Sequence, residues 1–102
     1  MKRVLISAVA ACAAAFIQTG AYAQQVDAKW AQAEAKEHGC LNCHAVDAVK
    51  VGPAYKSVSE KFKGKIADEV IASMKTKPVH ITVLKKASHK DLTLIAQWIL
   101  TL

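Results

Sequence analysis

The chain has 102 residues, of which 53% are hydrophobic, and 14 Lys+Arg against 8 Asp+Glu give a formal net charge of +6 at pH 7. That length holds one small domain, since domains typically run to about 100–150 residues, and it excludes a multi-domain enzyme. The apolar content excludes a disordered chain.

The apolar residues are unevenly placed, with 17 in the first 23 positions and 37 in the remaining 79. Lys2 and Arg3 precede an apolar stretch, Val4 to Ile17, whose one polar member is Ser7, and Ala21-Tyr22-Ala23 follows. A charged start, an apolar centre and an A-x-A site are the parts of a secretory signal. The stretch is short for a membrane span, which needs about 20 apolar residues. The expected division is a signal peptide over 1–23 and one domain over 24–102, exported to the periplasm. Cys12 leaves with the signal, and so do Lys2 and Arg3, so 12 lysines face 8 acidic residues, a net charge of +4.

A domain of 79 residues has a meagre core and usually needs a staple. The two cysteines left, Cys40 and Cys43, are too close in sequence to close a useful loop. From Val26 to His38 the residues are strong helix formers, and Gly39 is a good stop. Trp30 and Ala33 lead the expected inner face of that helix, with Ala31 and Ala35 as further members. From Cys40 to Pro53 the pattern is irregular, with Gly52-Pro53 as a breaker. Tyr55, Val58 and Phe62 predict a short helix ending near Gly64, and Ile66, Val70, Ile71 and Met74 predict a third, stopped before Pro78. The last helix is the clearest: Ser88 and Asp91 make an S-x-x-D capping box, and Leu92, Ile95, Ile99 and Leu102 follow at helical spacing, widened by Leu94 and Trp98. Period-two alternation is confined to Val79-Ile81-Val83, so the reading is all-α.

Cys40-Leu41-Asn42-Cys43-His44 is the C-x-x-C-H signature of c-type haem attachment. Thiols three positions apart lie on one side of a helical turn and reach the two vinyl groups along one porphyrin edge. His44 then presents its imidazole to the iron as proximal ligand. The covalently held haem supplies the core that the short chain lacks. A dithiol redox site is the competing reading, but such sites accompany a βαβ pattern, absent here. Half of a zinc site is another, but there is no second cysteine pair.

The stretches Gly39–Asp47 and Val51–Lys56, with the ending Leu94-Ile95-Ala96-Gln97-Trp98-Ile99-Leu100, resemble the small bacterial class I cytochromes c. The similarity runs over essentially the whole domain and thins between Lys75 and Lys86. It implies four to five short helices wrapped around one haem c, attached through Cys40 and Cys43, with the first and last helices crossing nearby. It also implies that the Pro53 carbonyl accepts from His44 Nδ1–H, which fixes the tautomer and strengthens His44 as a donor.

One departure stands out. Most of that family supplies a methionine as sixth ligand from a loop before the last helix, a position that falls near Thr82 here. No methionine occurs after Met74, which sits on the apolar stripe of the third predicted helix and reads as core. His80 stands two residues from the expected place, in the loop Pro78–Val83. The sixth position is therefore assigned to His80, with an open position and Met74 as alternatives. Imidazole in place of a thioether lowers the reduction potential. His38 is expected to decorate the end of the first helix, and His89 to be exposed.

The reading is a soluble periplasmic single-electron carrier with no catalytic residues of its own, a monomer or a subunit of a hetero-complex. Its redox partners would dock at a lysine rim including Lys50, Lys56, Lys61, Lys63, Lys65, Lys75, Lys77, Lys85 and Lys86, with Lys85-Lys86 the favoured contact. A solvated surface that keeps a small protein soluble explains the same lysines. No nucleic-acid partner is expected, since no arginine remains after Arg3, and no membrane association after signal cleavage. Other readings are the haem subunit of a periplasmic dehydrogenase, a haem gas sensor with an open sixth site and, last, a thiol–disulfide oxidoreductase.

Overall fold

The computed structural model describes residues 26–102. The expected signal segment, 1–23, lies outside these residues. Five helices follow in chain order: α1 (Ala28–Glu37), α2 (Tyr55–Lys61), α3 (Ala67–Lys75), α4 (Ile81–Lys86) and α5 (His89–Ile99), with 3-10 turns at Cys40–Asn42 and Pro78–His80. The described residues contain no strand, in agreement with the all-α reading.

Each helix start has a local cause. The Asp27 carboxylate accepts from the Trp30 amide at 3.1 Å, covering an otherwise free donor at the start of α1. Glu69 reaches back to the Ile66 amide at 3.2 Å at the start of α3. Ser88 Oγ accepts from the Asp91 amide at 3.1 Å at the start of α5. Asp91 does not complete that capping box with its side chain, which turns to His38 instead. Gly39, at φ 82°, takes the left-handed conformation that ends α1 and opens the Cys40 turn.

α5 is the central strut, packed against α1, α2 and α3. One of its faces joins Ala31 and Ala35 of α1 and Tyr55 of α2 through Ile95, Trp98 and Ile99. The other meets Ala67, Val70 and Ile71 of α3, together with Ala87, through Leu92 and Ala96. Trp98 is the largest fully buried side chain and meets the Tyr55 ring edge-on, centroids 5.6 Å apart at 88°.

Three sequence expectations need correction. Ala33 is exposed, because Ala31 and Ala35 lie four apart on one helical face and the residue between them turns away. Ile66 caps α3 from outside and is 63% exposed. The segment expected as loop after His80 is helical in Ile81–Lys86, although its β-branched residues are mediocre helix formers.

Candidate functional site

α1 delivers the chain, through Gly39, into a single 3-10 turn that carries the C-x-x-C-H residues. Positions three apart eclipse each other in such a turn, so Cys40 and Cys43 share one side of it. The His44 amide donates to the Cys40 carbonyl at 3.0 Å and the Cys43 amide to the same oxygen at 3.2 Å, closing the turn. Both thiols are free, Cys40 half-buried and Cys43 exposed. Burial pushes the Cys40 thiol up, and a hydrogen bond from the Tyr55 hydroxyl offsets part of that rise. Tyr55 is itself pushed well above the usual phenol range, mainly by burial and then by the neighbouring Cys40.

The loop that follows is pinned onto His44. The Gly52 amide donates to the Cys43 carbonyl at 2.7 Å, Tyr55 to Ala45 at 2.9 Å and Lys56 to Val46 at 3.1 Å. His44 Nδ1 lies 2.6 Å from the Pro53 carbonyl. A carbonyl can only accept, so Nδ1 carries the proton and the Nε2 lone pair is available. The imidazole is held between Tyr55, stacked at 5.0 Å between centroids, and the bare Cα of Gly52. A Cβ on Gly52 would come within 2.9 Å of His44 Nδ1 and Nε2.

The opposite wall is built by α3 and the turn after it. Pro78 opens the 3-10 turn, where its missing amide hydrogen costs nothing. The turn presents His80, whose Nδ1 lies 2.7 Å from the Met74 carbonyl. By the same logic His80 is a donor at Nδ1 and leaves Nε2 free. The rings of His44 and His80 are 6.3 Å apart between centroids and inclined by 20°. Met74 contributes its carbonyl to His80, while its side chain packs on the α3–α5 core cluster.

These residues suit a haem. Two imidazoles bound through nitrogens on opposite sides of one iron have ring centres roughly 6 Å apart, given metal–nitrogen bonds of about 2 Å. Each ring has its Nδ1–H engaged by a backbone oxygen, the usual arrangement for a metal-ligating histidine. Large apolar side chains stand uncovered in the two segments that carry the site: Val51, 83% exposed, precedes Gly52, and Val79, 81% exposed, precedes His80. A porphyrin's apolar faces would cover such residues.

The remaining histidines divide. His89 is exposed, 3.8 Å from Asp68. His38 stands at the end of the first helix as expected, as the C-cap of α1, but its side chain is only 9% exposed and faces Glu34 and Asp91. Asp91 is 53 residues away in sequence, and no local pattern announces that pairing. Lys86, exposed and part of the expected docking pair, donates from Nζ to the Glu37 carbonyl at 2.9 Å and ties α4 to the end of α1.

The chain is similar to cytochrome c-551 of Azotobacter vinelandii, 36% identical over 76 residues that cover 65% of this chain and 89% of that protein. Cytochrome c-551 of Pseudomonas aeruginosa is 45% identical over 42 residues, 41% of this chain and 40% of that protein. Cytochrome c-552 of Hydrogenobacter thermophilus is 52% identical over 31 residues, 30% of this chain and 32% of that protein. The chain thus aligns with less than half the length of the last two. No family model matches the chain, and no solved structure does.

Proposed function

The chain belongs to the small class I cytochromes c of the c-551 type, and from that premise we propose that it is a periplasmic single-electron carrier with two histidine ligands. It is a c-type cytochrome with one covalently attached haem, and no enzyme. The haem supplies the one-electron ferric/ferrous chemistry; the chain holds it, sets its potential and offers a docking surface.

In this reading Cys40 and Cys43 hold the haem by thioethers, and His44 is the proximal ligand, oriented by Pro53. His80 is the distal ligand, oriented by the Met74 carbonyl. The observation that carries the assignment is the His44–His80 pair itself, with ring centres 6.3 Å apart and each Nδ1–H bound to a carbonyl, at 2.6 Å and 2.7 Å. Both hydrogen bonds push electron density toward the metal, which favours ferric iron and adds to the lowering expected from imidazole in place of sulfur. The mature domain begins after Ala23, and no described helix is long and apolar enough to cross a membrane. Lysines that remain free near the site, Lys77 and Lys85 among them, would steer an acidic redox partner in a salt-dependent way.

The ultraviolet–visible spectrum of the oxidised protein tests the ligation. Two imidazoles give a low-spin ferric spectrum without the weak near-red band that sulfur on ferric iron produces, and the reduced protein binds carbon monoxide slowly. A near-red sulfur band would return the sixth position to Met74. Immediate carbon monoxide binding would mean an open site and favour a gas-binding role.

A further inference from the structure

Away from the site just described, α1 and α5 bring three metal-ligating groups to one point. Glu34 and His38 stand four residues apart on one face of α1, and Asp91 enters from the first turn of α5. His38 Nε2 lies 3.4 Å from Glu34 Oε2 and 3.3 Å from Asp91 Oδ2. The three donor atoms fall within 4.8 Å of one another. All three residues are partly shielded, and the His38 side chain is nine-tenths buried.

The distances bear on two explanations. A charge-assisted imidazole–carboxylate hydrogen bond closes to about 2.7–2.9 Å. Donors sharing a tetrahedral ion at bond lengths of about 2.0–2.2 Å sit roughly 3.3 Å apart along each edge. Both observed separations match that edge, and the 3.3 Å contact to Asp91 serves as a long hydrogen bond while no ion is bound. The ring is also unclaimed on its other side, since buried His38 Nδ1 has no partner. In the ion-free state Nε2 donates to the carboxylate; a cation would displace that proton, leave Nδ1 as the protonated nitrogen, and bind Nε2 between two carboxylates that supply negative charge.

We propose that Glu34, His38 and Asp91 form a three-ligand site for a borderline divalent transition-metal ion such as Zn²⁺, with a fourth position left for water. One nitrogen and two carboxylate oxygens suit that class better than the hard ions, which prefer all-oxygen sites. The ion would clamp α1 to α5 two residues before Cys40. Without an acceptor for Nδ1–H, His38 lacks the supporting hydrogen bond that strengthens a ligand's hold, so binding should be reversible and removable by chelators.

The test uses the haem-loaded protein after treatment with a chelator, so that it does not depend on which residue is the sixth ligand. Titration with ZnCl₂ in a calorimeter should show one saturable equivalent, a rise in thermal midpoint with zinc concentration, and a shift of the His38 ring resonances. His38→Gln should weaken binding by about tenfold or more, while His89→Ala leaves it unchanged. If His38→Gln does not fold, Glu34→Gln and the His38 ring resonances of the unaltered protein decide. No saturable binding, an unmoved His38 ring, or binding that is lost with His89 would overturn the proposal.

Discussion

The two walls of the candidate site are built differently. On the His44 side, the loop from Cys40 to Tyr55 is laced by backbone hydrogen bonds between residues nine or more apart and ends on a buried tyrosine against Trp98. On the His80 side, Pro78–Lys86 contains no buried residue. It is held by half-buried Val83 and Leu84 on the α3–α5 core, by short-range turns, by the His80–Met74 contact and by Lys86 on Glu37. Local opening is cheapest where few apolar contacts resist it. The His44 wall is thus the firmer anchor and the His80 wall the more adjustable part, where the proposed change of ligand would meet the least resistance.

Replacing both thiols, Cys40→Ala with Cys43→Ala, would break the comparison most severely. Covalent haem should vanish entirely from the mass of the denatured protein. Next in size is Trp98→Ala on the proximal side, expected to cost about 3–5 kcal/mol in a denaturant titration, because it empties the centre of the core. Gly52→Ala should cost about 1–3 kcal/mol by pushing a methyl group into the His44 ring, and should loosen the hydrogen bond to Pro53 as read by the His44 Nδ1–H resonance. The distal wall should respond less. Lys86→Ala removes one exposed hydrogen bond and is expected to lower stability by less than about 1 kcal/mol. A distal substitution matching the cost of Trp98→Ala would erase the distinction between the walls.

The course of the His44 wall was legible in the sequence because Gly39 and Gly52-Pro53 bracket an irregular segment between two helical patterns. α5 was legible because Leu92, Ile95 and Ile99 repeat with the helical period behind a serine cap. The distal wall was less so. Val79-Ile81-Val83 alternates like a strand, and α4 has only six residues, too few for its periodicity to outweigh β-branching. The Asp91–His38 contact was hidden for another reason: its partners meet only once α1 and α5 cross. An S-x-x-D pattern assigned Asp91 to its own helix end, where only the Ser88 half of the box forms.

The claim that His80 faces His44 across the iron is tested most directly by the reduction potential of the unaltered protein against that of His80→Met, each paired with its oxidised spectrum. Bis-histidine ligation predicts no near-red sulfur band in the unaltered protein. It also predicts that band together with a potential raised by on the order of 0.1 V in His80→Met. A sulfur band already present in the unaltered protein, or a potential that His80→Met leaves unmoved, would contradict it.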